Sequence, residues 1–307
     1  MTNPRRAIGI DIGGTKLAVA AVDASGAVSA RTVIATEAEL GFERAVGRMV
    51  EAIRQVLAQA GWSRSDLCGV GIGCTGPVSA ERGTINNPYT LPTWIDCDIV
   101  SRLRDHFGKP VYLENDADAA ALGECFAGSA RGFRQVVMLT LGTGVGGGIV
   151  IDGRVYRGTR GEHPELGHLP IDPGGPACYC GANGCLESLA SGTAIAGAGR
   201  AAGYSDSREV FAGAALGQSA AVAIVERARG ALAVATWIIL HTFMPQRIVL
   251  GGGVMDEHYD LFAPAVAARI ARATMVPVGG TSVAKAGLSN DAGIVGAASL
   301  ALAAGGR

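Results

Sequence analysis

Apolar residues follow two rhythms along the first third of the chain. From Ala7 to Ile12 and from Leu17 to Val22 they are nearly continuous, in runs too short and unbroken for an amphipathic helix. Gly13-Gly14 and Asp23 to Gly26 separate these runs, and Val28 to Ile34 comes next. This pattern predicts strand, turn, strand, turn, strand. Between Gly41 and Ala60 the rhythm changes: Ala45, Met49, Ala52, Ile53, Val56, Leu57 and Ala60 keep helical spacing, and Gly61 suits the stop. Strands are expected at Val70–Gly73 and Val111–Leu113, the second leading through Glu114-Asn115-Asp116 into an alanine-rich helix that ends near Phe126.

The opening pattern then returns. Val136 to Leu141 forms a strand signal, Gly142 to Gly146 a glycine-rich turn, and Gly147 to Ile151 a second strand. Arg247 to Val254 adds a later strand that ends in Gly251-Gly252-Gly253. One design is used twice. Two such α/β units imply two lobes with a cleft between them, 1–117 and 118–291, divided near Ala117. The second includes a loop-rich insertion from Arg154 to Gly192.

Length and charge exclude little but sharpen this picture. With 307 residues, each lobe can bury a core. The 26 basic and 27 acidic residues give a net charge of −1, so no general attraction to nucleic acid or to anionic membrane is expected. Mean hydropathy is high at +0.29. The longest apolar stretches are nevertheless broken by Thr236 and His241 or by glycines near Gly296, so none is expected to span a membrane. The strand signal begins at Ala7 without a leader-like segment, and the protein is expected in the cytoplasm.

Three segments carry candidate chemistry. Asp11-Ile-Gly13-Gly14-Thr15-Lys16 puts an acid at a strand end, followed by a hairpin whose amides and Thr15 hydroxyl can meet phosphate oxygens. A plain structural turn is the competing reading. No helix opens directly after the glycines, which separates this loop from Walker and dinucleotide-binding loops. Thr140-Leu-Gly142-Thr143-Gly144 offers the same features from the other lobe, and together the loops could clamp the phosphates of ATP. Gly251 to Gly253 would supply side-chain-free backbone for an adenosine. Glu114-Asn115-Asp116 can direct polar groups into the cleft, although an Asx residue before an alanine-rich helix also serves as an N-cap.

The insertion holds His168, Cys178, Cys180 and Cys185, three of the seven cysteines among them. Ligand types and spacing are those of a closed Cys3His zinc site. A disulfide is disfavoured in the cytosol, and the spacing is not that of a CxxC redox motif. Glu165 and Glu187 flank the cluster, so a metal that fixes the loop would fix both carboxylates.

In this order the motifs resemble the ROK family (repressors, open reading frames, kinases), a branch of the actin-like ATPase and sugar-kinase fold built on duplicated ribonuclease H-like domains. The resemblance covers nearly the whole chain. It rests on Gly9 to Lys16, Glu114-Asn-Asp116 with Ala119 to Glu124, Leu141 to Gly144, Glu165-Leu-Gly-His168, Cys178 to Glu187 and Asn290-Asp-Ala-Gly293. It implies an ATP-dependent hexose kinase with Asp116 as catalytic base. Asn115, Glu165, His168 and Glu187 would hold sugar hydroxyls, Gly76 would back the sugar, and Asp11 would organise Mg2+. It further implies structural Zn2+, a final helix at about 292–307 returning to the first lobe, and a homodimer. Glucose is the first expectation, ahead of fructose, mannose, allose and N-acetylmannosamine. Departures at Ser79, at Thr90-Leu91 before Trp94, and at His163-Pro164 before Glu165 fall near the expected sugar contacts, so they bear on which hexose is used. A sugar-responsive repressor shares the family body but needs a helix-turn-helix ahead of the first strand.

Overall fold

The computed structural model describes residues 5–276 and 279–304, so the end of the expected last helix, 305–307, lies outside the described residues. The described residues divide into two compact units: 5–132, 153–164 and 290–304 form one, and 133–152 with 165–276 and 279–289 the other.

In the first unit, β1 (Arg6–Ile12), β2 (Lys16–Asp23) and β3 (Val28–Ala35) form an antiparallel meander. α1 (Phe42–Ala60) follows, then β4 (Leu67–Cys74), the short strands β5 (Val78–Ser79), β6 (Thr84–Ile85) and β7 (Cys97–Asp98), α2 (Ile99–Phe107), β8 (Val111–Asn115) and α3 (Asp116–Ala127). The main sheet has the order β3-β2-β1-β4-β8, with β1, β4 and β8 parallel. Burial explains the two rhythms of the sequence. β3, at the sheet edge, alternates between half-buried and exposed positions, whereas β1 and β4 are covered on both faces and therefore need continuous apolar runs. α1 buries Ala45, Val46, Met49, Val50, Ile53, Val56 and Leu57 at helical spacing and stops at Gly61, whose φ of 66° is left-handed.

The second unit repeats the scheme. β9 (Gln135–Leu141) and β10 (Val145–Ile151) make an antiparallel hairpin, and the short β11 (Arg154–Val155) that follows in sequence belongs to the first unit. After the insertion come α4 (Leu186–Ala190), α5 (Gly192–Ala201), α6 (Ser207–Ala215), α7 (Ser219–Phe243), β12 (Arg247–Gly251), α8 (Gly253–Ala271) and β13 (Ser282–Lys285). Strand β9 runs parallel to β12, which runs parallel to β13. No helix among the described residues is long and apolar enough to cross a membrane.

The units divide between Gly132 and Phe133, not near Ala117 as the sequence suggests. Helix α3 belongs with the first unit because it packs on the last helix, α9 (Ala292–Ala304), which also covers β1 and β4. The approach is close: a Cβ on Gly296 would lie 1.6 Å from the Ala119 carbonyl oxygen. Small residues on α9 are thus a steric requirement of this layer.

Candidate active site

The residues expected to act together lie in both units. In the first, Asp11 stands next to the end of β1, and the hairpin turn Gly13-Gly14-Thr15 follows, with Thr15 and Lys16 exposed. The turn is closed by Gly13 N–H donating to the Lys16 carbonyl (2.9 Å) and tied down by Thr36, whose hydroxyl donates to the Gly13 carbonyl (2.7 Å). A Cβ on Gly293 would come within 2.9 Å of Asp11 Oδ2, so the carboxylate lies against the first turn of α9. Burial, then the neighbouring charge of Asp116, push the Asp11 pKa up to about 7, against the pull of Arg31. Two acids are therefore held together where a cation or a proton would relieve them.

The N-cap question left open by the sequence is answered by geometry. Buried Asn115 caps α3: its Oδ1 accepts from Ala117 N–H (2.9 Å) and from Asp118 N–H (3.3 Å). Asp116 is the first helical residue, half-buried, with Oδ1 accepting from Ala117 N–H at 2.8 Å. Gly76 lies against Asn115, since a Cβ there would be 3.1 Å from Asn115 Nδ2. Thr90 lies against Gly14, where an added Cβ would be 3.2 Å from its own. Buried Asn87, which sequence reasoning missed, places Thr90: its Nδ2 donates to Thr90 Oγ1 (2.7 Å) and to the Thr75 carbonyl, and its Oδ1 accepts from the amides of Tyr89 and Thr90. An Asn-Pro turn signal at Asn87-Pro88 was the available clue.

Behind the Asn115–Asp116 pair is a buried charge cluster. Glu114 accepts from Asn115 N–H (2.8 Å) and pairs with Arg157, while Asp118 Oδ2 lies 2.8 Å from His163 Nδ1 and 3.9 Å from Arg157. Burial raises the Glu114 pKa and the Arg157 hydrogen bond lowers it. Buried carboxylates of this kind are costly without partners, which explains why 153–164 packs with the first unit. Sequence reasoning singled out neither Arg157 nor Asp118.

In the second unit Gly142, Thr143 and Gly144 form the β9–β10 turn, directly after Thr140-Leu141. Gly142 donates to the Gly144 carbonyl (2.9 Å) and accepts from Gly192 N–H (2.7 Å) at the start of α5. A cavity of about 430 Å³ is lined by Gly142, Thr143, Gly192, Thr193, Gly253 and Val254, among others. It thus gathers a glycine turn and the N-termini of α5 and α8, where free amides and helix dipoles favour an anion. Of the triple glycine, Gly253 lines this cavity. Gly251 is buried at the end of β12, and Gly252 caps α8 with φ 85°, where a Cβ would meet the Leu141 carbonyl oxygen at 2.5 Å.

The insertion brings His168, Cys178, Cys180 and Cys185 together, with one ligand atom from each lying within 4.8 Å of all the others. His168 Nδ1 is 3.4 Å from Cys178 Sγ, and Cys180 Sγ is 3.5 Å from Cys185 Sγ. Burial and the adjacent sulfurs push the Cys185 thiol up to about 12, a penalty that a cation would reverse. Four soft and borderline donors at this spacing fit tetrahedral zinc and leave no open position. Glu165 is exposed just before the 3-10 turn Leu166–His168, and Glu187 lies on α4 with Oε2 accepting from Val145 N–H at 2.8 Å. Tyr179, absent from the sequence expectations, packs edge-on against the His168 ring at 4.9 Å. Partial desolvation, then the charges of Glu187 and Glu165, raise its phenol pKa.

The model of the ROK family matches residues 7–304. The chain belongs to the ROK family. Among ROK relatives, the glucokinase of Thermotoga maritima is 36% identical over 310 residues, spanning 95% of this chain and 96% of that protein. The N-acetylmannosamine kinase of Citrobacter koseri is 37% identical over 300 residues, 96% of this chain and 98% of that one. A ROK glucokinase from Streptomyces griseus, solved with glucose and AMPPNP, aligns with a TM-score of 0.75 at 30% identity, covering 96% of this chain and 98% of that chain. The α/β class with a duplicated hairpin-and-sheet plan, read from the sequence, is thus the ROK fold.

Proposed function

We propose that this ROK protein is an ATP-dependent hexose kinase that converts glucose to glucose 6-phosphate. The observation that carries the reading is the division of labour at β8–α3: Asn115 caps the helix, so Asp116 stands beside Asp11 without serving as the cap. Asp116 would take the proton from the sugar hydroxyl as that oxygen attacks the γ-phosphorus and the bond from phosphorus to the β–γ bridging oxygen breaks, releasing ADP. Asp11 would hold Mg2+, which when bound neutralises phosphate charge. Gly13 to Lys16 and Thr140 to Gly144 present amides and hydroxyls to the phosphates, and Gly253 borders the cavity for the nucleoside. Gly76, Thr90, Asn115, Glu165, His168 and Glu187 would surround the sugar, and Zn2+ on His168, Cys178, Cys180 and Cys185 would fix the loop between them. A cytoplasmic homodimer fits this reading.

A repressor is disfavoured because the relatives matched at this identity are kinases. The second reading, an N-acetylmannosamine kinase, is favoured by the Citrobacter relative. Measuring kcat/KM for glucose, mannose, fructose, allose and N-acetylmannosamine, with the phosphorylated product identified by 31P NMR, separates the two. Glucose is expected to lead with phosphate on O6. A tenfold higher kcat/KM for any other sugar overturns the assignment.

A further inference from the structure

Glu187 is expected at the sugar, yet its best-defined contact is with the hairpin that lines the anion-ready cavity. Its Oε2 accepts the Val145 amide at 2.8 Å, and a Cβ on Gly144 would lie 2.5 Å from the same oxygen. Gly144 therefore has a steric reason for being glycine that is separate from phosphate contact: it admits this carboxylate. At its other end the turn is held by Gly192 N–H donating to the Gly142 carbonyl at 2.7 Å. The turn is thus suspended between two supports, the start of α5 and the Glu187 side chain. Gly142 and Thr143, which line the cavity, lie between them.

We propose that Glu187 is a positioning residue for the nucleotide loop: through Val145 it holds the β9–β10 turn in the shape that receives phosphate, even when no sugar is bound. This rests on reading that turn as the nucleotide loop. A hydrogen bond from an amide to a charged carboxylate is among the stronger ones, and removing the acceptor leaves the Val145 N–H without a partner beside a gap at Gly144. Sugar recognition and nucleotide affinity should consequently share one side chain.

The test is titration calorimetry of Mg·AMPPNP without sugar on the wild type, Glu187→Gln and Glu187→Ala, with melting temperature and bound zinc measured on each. Glu187→Ala is expected to weaken AMPPNP by about tenfold or more. Glu187→Gln should stay within about threefold of wild type, because its amide oxygen can accept the same N–H. Both should weaken glucose binding measured alone. The proposal is overturned if Glu187→Ala binds AMPPNP as the wild type does, and loss of glucose affinity alone would then leave the sugar reading standing. Equal weakening by Gln and Ala also overturns it. A wild type that binds no AMPPNP removes the nucleotide reading and the proposal with it. Should Glu187→Ala fail to fold, amide exchange at Val145 in the wild type and Glu187→Gln decides: protection in both is expected, and open-loop exchange in the wild type overturns the proposal.

Discussion

The β1–β2 and β9–β10 hairpins are the same backbone device with different electrostatics. Each joins two antiparallel strands through a three-residue turn, Gly13-Gly14-Thr15 in one and Gly142-Thr143-Gly144 in the other. Two residues before the first glycine stands Asp11 in one hairpin and Thr140 in the other. Burial, then the charge of Asp116 nearby, raise the Asp11 pKa to about 7. The second hairpin receives its carboxylate from outside, and Glu187 spends it on a backbone amide. A duplicated scaffold can thus place reactive charge in one copy while the other copy holds and orients.

If that contrast is right, the largest effect comes from the first unit. Asp116→Asn should lower kcat by about 10² to 10⁴. Its melting temperature should barely move, because Asn115 caps α3. A loss smaller than tenfold would remove Asp116 as the base, and a large drop in melting temperature would restore it as a structural residue.

A disturbance in the second unit should act on affinity. Cys180→Ser is expected to lower zinc content and raise the sugar KM by about tenfold or more through the loop that bears Glu165 and Glu187. Its kcat should change by less. Normal sugar affinity at reduced zinc content would break the link between metal and substrate site.

The smallest effect sharpens the comparison between Asp11 and Thr140. Because the folded state raises the Asp11 pKa from 3.8 to about 7, it binds more protons than the unfolded chain between those values, and stability contributed by this group falls as pH rises through that window. Without Mg2+, Asp11→Asn should therefore melt above the wild type at pH 8, with the difference closing near pH 4. Thr140→Ala should show no such pH-dependent difference. A gap that stays constant from pH 4 to pH 8 would contradict the assigned burial of charge.

The sequence revealed what is local and hid what is assembled over distance. Glycine turns after continuous apolar runs disclosed both hairpins, and the close spacing of the cysteines and His168 disclosed a cluster that the fold brings within 4.8 Å, because each signal is local in sequence. The unit boundary was displaced because α3 is claimed by α9 from the far end of the chain, through glycine contacts that no local pattern announces. Asn115 and Asp116 are both good caps, and only backbone geometry shows which one serves. The Glu187–Val145 bond spans 42 residues, and its one trace in the sequence, Gly144, has an equally good explanation as a phosphate-loop glycine. Asp118 and His163 are 45 residues apart and become a pair only through burial.

The account stands most directly on hexose-dependent ADP release. Purified protein with ATP, Mg2+ and glucose should form ADP and glucose 6-phosphate in equal amounts. Omitting the sugar, or chelating Mg2+ with zinc retained, should reduce ADP formation to background. ADP release at the same rate without any hexose, or full turnover with Mg2+ removed, would contradict it.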